Sequence, residues 1–284
     1  VTKHSHGVDD ATRRSVRAVE VAREVLPGTS LALLQELHLL TRDGDLNADA
    51  RRKLKQVNHL IGLVRPAIEA ALDAHDQPVI VDCGAGKAYL GFLLYTLVLG
   101  PAGRGRLVAL ESRPELAAAA AERAARLGMD RFTAIAAPIA AASLAGPVHV
   151  VTALHACDTA TDDALILAVR AGAEHIAVVP CCQAEVARQL AERRPDDVAI
   201  ASLCAHPIHR REFGSHLTNV LRALTLEAHG YKVTVTELVG LEHSLKNELL
   251  LARRTRDASP VGRERLAALL ARTGVSPKIT RELG

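Results

Sequence analysis

Apolar positions keep two rhythms along the chain. Up to about residue 76 they recur at steps of three and four, the spacing of one helix face. Helices are predicted over 10–25, ending near Pro27-Gly28, and over 30–40, ending at the Asp43-Gly44 turn. A third begins at Asn47, a good N-cap, with Asp49 at its positive end, and carries the stripe Leu54, Val57, Ile61, Val64, Ile68 and Leu72. From residue 78 short β-branched runs bounded by Gly and Pro take over. Strands are predicted over 78–82, 106–111, 132–137, 148–153 and 176–179, with helices over 87–99, 114–127 and 159–170. Thr159 or Thr161 is the expected cap of the last of these, with Asp162 and Asp163 in its first turn. Such alternation marks βαβ units and a parallel sheet. A helix over 212–229 and two strands, 231–239 and 248–252, follow. No helix separates those strands, so they form a hairpin and the sheet should end in one antiparallel strand. The fold class is α/β: a doubly wound, mostly parallel, seven-stranded Rossmann-like sheet with a helical N-terminal extension. The expected organisation is a helical segment over 1–76, a ligand-binding domain over 77–254, and a basic helical tail over 255–284 with a helix at 261–272.

Composition narrows the chemistry. The 284 residues are 49% hydrophobic with no Trp, three Tyr and three Phe, so the core is aliphatic and base-stacking platforms are scarce. A formal charge of +3 permits an anionic partner without requiring one. Five cysteines, two of them adjacent, argue against a secreted disulfide framework and for a reducing, cytoplasmic setting. No apolar run is long enough to span a bilayer, and the first ten residues do not resemble a signal peptide.

The first strand leads into Val81-Asp82-Cys83-Gly84-Ala85-Gly86. The carboxyl edge of an open parallel sheet is where ligands sit. Gly84 and Gly86 let a ligand approach bare main chain there, and Glu111, ending the second strand, can accept hydrogen bonds from both ribose hydroxyls of an adenosine. A dinucleotide fingerprint would place a third glycine where Tyr89 stands, and no phosphate-cradling GxxxxGK[ST] occurs. An acid at position 82 is awkward beside a pyrophosphate but suits a cationic sulfonium with an amino-acid tail. The pattern therefore favours S-adenosylmethionine (SAM) over NAD.

The residues from Asp82 to Leu90, DCGAGKAYL, resemble the cofactor motif of class I SAM-dependent methyltransferases. The stretch from Leu154 to Asp162, LHACDTATD, and Pro180-Cys181-Cys182 are similar to a subgroup carrying LHACG-x-ATD and PCC motifs. That subgroup includes methyltransferase-like proteins and, more distantly, tRNA ribose 2′-O-methyltransferases. Segments 52–58, 217–231 and 243–247 have counterparts in bacterial members, and the similarity covers about 50–254. Asp158 departs from the usual Gly, and Ala136-Ala137-Pro138 offers no carboxylate, so adenine's amino group should meet backbone.

The resemblance implies a cofactor site of Asp82, Cys83, Gly84, Ala85, Gly86 and Tyr89 on the first turn, Glu111 and Ser112 on the second strand, and Leu154 on the fourth. Gln56 and Asn58, on the helix before the sheet, would reach the cofactor's amino-acid end. His155 is a candidate base, or a loop-holding histidine; Asp158 would orient it or meet substrate. Asp162 could share that work, or serve as a first-turn helix acid. Cys181 and Cys182 line the pocket, or are merely buried, or join Cys157 and His155 around zinc; without CxxC spacing no metal is assigned. Arg211, His243, Lys246 and Asn247 are candidate substrate contacts, with surface roles as the alternative. The acceptor would be an oxygen or nitrogen, with RNA favoured by the tRNA-enzyme analogy and the basic segments 51–55 and 253–256. Protein and small-molecule acceptors stay open, as does a fold that binds without turnover.

Overall fold

The computed structural model describes residues 31–37, 48–154, 156–180, 183–193, 195–237, 248–255 and 257–284, with the side chains at 31, 48–50 and 52–57 excepted. The helix expected over 10–25 and the cap at Asn47 lie outside these residues.

Seven strands form one sheet: β1 (Val79–Cys83), β2 (Arg106–Glu111), β3 (Phe132–Ala136), β4 (Val150–Ala153), β5 (His175–Val178), β6 (Tyr231–Glu237) and β7 (Glu248–Arg254), in the order β3-β2-β1-β4-β5-β7-β6. The first five run parallel, while β7 is antiparallel to both β5 and β6. The antiparallel strand thus sits second from the edge rather than at the end of the sheet. A hairpin can insert its second strand beside β5 because Val178 pairs with Leu250 and Ala177 with Leu251, apolar residues that fit a covered strand.

The period of two along β1 divides the core. Ile80 faces a cluster built with α1 (Leu31–Glu36), α2 (Ala48–Ala74) and the helix after β1. Val79, Val81 and Cys83 face the opposite cluster, built with α5 (Thr159–Arg170) and the long α8 (Pro207–Ala228). On α2, Ile61, Val64 and Ile68 are fully buried, as the helical stripe requires. The helix after β1, α3 (Tyr89–Leu94), runs on through a π-helical stretch, Tyr95–Leu99, to Ala102. It starts later than expected because Ala88 takes a left-handed φ of 58°, and it stops at left-handed Gly103 rather than at Pro101. The next helix, α4 (Pro114–Arg126), has Pro at its first position, Glu115 in its first turn and Arg123 and Arg126 in its last, matching the helix dipole.

Besides the short last helix, Lys278–Leu283, two helices escaped the sequence reading: α6 (Glu185–Glu192) and α7 (Val198–Leu203). Both are short, and Val198 and Leu203 on α7 are exposed, so no buried stripe announces it. The helix expected over 212–229 begins at Pro207 instead, which places Arg210 and Arg211 inside its first turns. The last residues form α9 (Pro260–Thr273) and α10 (Lys278–Leu283). They pack on the sheet domain: Ile279 is fully buried, Arg272 pairs with Asp197, and Lys278 with Asp163. No helix among the described residues is long and apolar enough to cross a membrane.

Candidate functional site

The chain reverses direction across the sheet at β1, whose neighbours are β2 and β4. Open α/β sheets leave a ligand crevice at such a point, beyond the carboxyl ends of the strands. The turn leaving β1 lies there. Gly84 and Gly86 both adopt left-handed φ, 65° and 58°. A Cβ on Gly86 would meet no atom within 4 Å, so bare backbone faces open space. Ala85 N–H donates to Leu110 O at 2.9 Å, which ties the turn to β2.

Glu111 closes the other side. Its Oε2 accepts from Gly86 N–H at 2.7 Å, and its Oε1 from Arg113 N–H at 3.1 Å and Arg113 Nε at 2.9 Å. Ser112 is exposed, its hydroxyl 3.5 Å from the same Oε1. Burial pushes the Glu111 carboxyl up, but the donors from Arg113 and Gly86 outweigh it and hold it below the usual carboxylate range. Glu111 is therefore an anion at neutral pH, braced against the glycine turn.

Asp82 and Cys83 take other positions from those the motif suggests. Asp82 is 2% exposed and lies beneath α3, accepting from Thr152 Oγ1 at 2.9 Å and from Gly91 N–H. It supports the turn from below and does not line its open side. Burial pushes its carboxyl up to about 7, against the lowering effect of those two hydrogen bonds. Unfolded, the group titrates near 3.9. Between those values the folded state holds a proton that the unfolded state has lost, so stability falls as pH rises from about 4 to about 7. Asp82→Asn should flatten that part of a pH–stability curve from urea unfolding; an unchanged slope would remove Asp82 as its source. Cys83 is fully buried in the α5-side cluster, where desolvation pushes its thiol up, so it can offer a ligand only its backbone. Strand alternation explains both: neighbours on a strand point to opposite faces, and both faces here are covered.

Tyr89 and Leu154 are half-buried and pack against the α2-side core. Asn58 is half-buried on α2. The side chain of Gln56 and all of His155, Cys181, Cys182, His243, Lys246 and Asn247 lie outside the described residues. Cys157 is exposed. Among the described residues no group of His, Cys, Asp or Glu is arranged to hold a metal.

The loops after β4 and β5 are joined by Asp158. Its φ and ψ, 50° and −122°, match the first central position of a type II′ turn, and Ala160 N–H bonds back to Cys157 O at 3.1 Å. Glycine is the residue suited to that position, which accounts for the Gly in the similar motif. Here the aspartate is retained by its contacts. Oδ1 accepts from Ala184 and Glu185 N–H at 2.9 and 3.2 Å, and Oδ2 pairs with Arg188 at 3.3 Å. The carboxylate thus caps α6 from another loop, and Asp158 serves to hold backbone. The side chains expected to cap α5 do not do so; Thr161 Oγ1 instead donates to Ala156 O.

Behind this junction sits a residue the sequence reading missed. Arg222 on α8 is fully buried and grips both oxygens of Asp162, Nε to Oδ1 at 2.8 Å and Nη2 to Oδ2 at 3.2 Å. Its Nη2 also donates to Asp158 O at 2.8 Å, and its Nη1 to Asn219 Oδ1 at 3.2 Å. Asn219 continues to Gln183 and Glu248, and Gln183 to Ser215. Asp162 does stand in the first turn of α5, as expected, and is also paired with Arg222 in the interior. A signal was present: position 222 falls on the same helical stripe as Thr218, Thr225 and Leu226, all buried.

Arg211 is exposed on the first turns of α8 and pairs with Glu212 at 3.0 Å. It borders a cavity of about 400 Å³ between α6 and α8 that also touches Gln183.

In fold comparisons the chain is similar to an SAH-bound methyltransferase from Podospora anserina, with 15% identity over 90% of this chain and 100% of that one, at a TM-score of 0.47. It is also similar to the cofactor-bound protein Rv0187 from MTB, with 20% identity over 84% and 97% at a TM-score of 0.47. A third likeness is to magnesium protoporphyrin IX methyltransferase from Synechocystis with bound SAH, with 12% identity over 87% and 100% at a TM-score of 0.44. No protein of curated function matches the sequence. Residues 52–189, just under half of the chain and the part holding β1 to β5 with the Gly84–Gly86 turn, match the family model of a methyltransferase domain.

Proposed function

We propose that this protein is a SAM-dependent methyltransferase acting on an oxygen or nitrogen acceptor, and that the acceptor is RNA. The observation that carries the cofactor assignment is the Gly86 turn: left-handed, open where a Cβ would stand, and braced by the buried Glu111 carboxylate. These residues fit a nucleoside ligand, and the family match over 52–189 supports SAM as that ligand. Bound there, SAM supplies a methyl group already activated by its sulfonium.

The chain's task is then to position. Glu111 holds the ribose hydroxyls, and backbone at 136–138 meets the adenine edge. Gly84, Ala85 and Gly86 offer main chain to the ligand, and Leu154 contributes an apolar wall. His155, which follows β4 in sequence, is the candidate base for the acceptor's proton, and Cys181 and Cys182, which follow β5, are candidates for the acceptor pocket. Asp158 fixes the distance between the loops after β4 and β5. The basic segment 51–55 supports an anionic acceptor, whereas of the expected segment 253–256 Arg253 and Arg254 lie beside the amino end of β5, away from the crevice.

Calorimetry with SAH and with NAD tests the cofactor; NAD binding without SAH binding would sink the assignment. Labelled methyl transfer into cell extract, digested separately with RNase and protease, tests the acceptor. Label that survives RNase and is lost to protease would rule RNA out. Glu111→Ala should weaken SAH binding by about 1–3 kcal/mol, the scale of lost hydrogen bonds to a charged group. Unchanged affinity in a folded variant would count against the ribose role.

A further inference from the structure

The cavity between α6 and α8 is lined by small and basic side chains together with a few polar ones. Its volume is about 400 Å³. Ala184, Ala187, Ala191 and Pro207 make walls without bulk, while Arg188, Arg210 and Arg211 bring guanidinium groups from both helices. Gln183, Ser215 and the carboxylate of Glu212 also line it, so three guanidinium groups face one acid; Gln183 is 8% exposed and accepts the Ser215 hydroxyl at 2.9 Å.

The walls are fixed by sequence. A Cβ on Gly214 would lie 2.8 Å from Ala187 Cα, so α8 touches α6 at a point where only glycine fits. That crossing holds the three arginines on one concave surface. Arg210 has no carboxylate partner among the described residues and donates only to Cys204 O at 3.3 Å. Arg188 and Arg211 have acidic partners, Asp158 and Glu212, but each arginine is more than half exposed, where such pairs are weak and exchange readily. Three planar donor forks around a small-walled hollow match a group with acceptor oxygens only and a full negative charge.

The location gives the hollow a purpose. Gln183 directly follows Cys182 at the carboxyl side of β5, and Asp158 ties the start of α6 to the loop after β4. The hollow therefore adjoins the segments that follow β4 and β5. We propose that it holds a phosphoryl group of the methyl acceptor. This rests on the methyltransferase reading above and names the group by which its acceptor is held, a phosphate of the RNA; a phosphorylated small molecule is the other outcome of the test.

The test uses the full chain and the Arg210→Gln/Arg211→Gln double variant, with SAH present. Probes are a short single-stranded RNA of mixed sequence, a peptide nucleic acid of the same sequence, and AMP. RNA or AMP should bind the wild type and bind the double variant at least about 10-fold more weakly, each bidentate contact being a strong one. For RNA, the slope of log affinity against log salt should shrink by about 1.4, two contacts at about 0.7 each. RNA binding without AMP binding identifies a polymer; AMP binding as tight as RNA identifies a small phosphorylated acceptor. Equal affinity in the two proteins, equal binding of the phosphate-free probe, or no phosphate-bearing ligand bound at about millimolar concentration would each overturn the proposal. SAH binding alone, by calorimetry, reads the cofactor assignment: its absence from the wild type overturns that assignment while leaving the phosphate result intact.

Discussion

Arg222→Met should lower folding stability by about 3–5 kcal/mol, the largest effect expected from a single substitution here. The guanidinium is fully buried and carries four hydrogen bonds, two to Asp162, one to Asp158 O and one to Asn219. Methionine fills the volume but leaves Asp162, itself 1% exposed, without a counter-charge. Burial already raises the Asp162 carboxyl, and the Arg222 contacts oppose that rise. Without them it rises further, so the folded variant keeps a proton that the unfolded chain releases above about 3.9. The wild-type carboxyl is raised too, so the deficit should grow with pH only once the folded wild type releases this proton and the folded variant still holds it. Urea unfolding followed by circular dichroism measures it, since the chain has no Trp. The paired change Arg222→Met/Asp162→Leu should recover part of the loss, because a buried pair removed whole leaves no orphaned charge. A double variant as unstable as the single one would show that the ion pair is not the source.

The second large effect is a contrast at Asp158. Asp158→Ala keeps the unfavourable φ of 50° and loses every carboxylate contact, so stability should fall by about 2 kcal/mol. Asp158→Gly loses the same contacts but releases backbone strain worth about 1–3 kcal/mol, so its stability should lie within about 1 kcal/mol of wild type. Both should lower turnover by about 10²-fold, because the loops after β4 and β5 are no longer held at a fixed separation. SAH affinity should be little changed in either, since the glycine turn lies elsewhere. Glycine as destabilising as alanine would refute the strain argument. Full turnover in the glycine variant would refute the positioning role.

In the proposed reading the site has two halves with different supports. The cofactor half rests on backbone conformation, with Gly86 open and Glu111 bracing it. The acceptor half rests on side chains that hold loops, with Asp158 between them and Arg222 behind. The cofactor half is local in sequence: Gly86 lies on the turn leaving β1 and Glu111 ends β2, the next strand, within one βαβ unit. The acceptor half gathers residues from positions 158 to 248, and only folding brings these together.

That difference marks what could be read in advance. The sequence by itself determined β1 to β5, the glycine turn and Glu111, because strand alternation, β-branched runs and Gly punctuation are short-range signals. It also placed α5 at 159–170, the bounds the structure has. Tertiary structure alone decided three things. It set β7 between β5 and β6, since hairpin insertion depends on which edge offers an apolar partner. It turned Asp82 beneath α3 and away from the crevice, since both sheet faces are covered. It joined Asp162 to Arg222 across sixty residues, since a buried charge takes whatever counter-charge the packing brings to it.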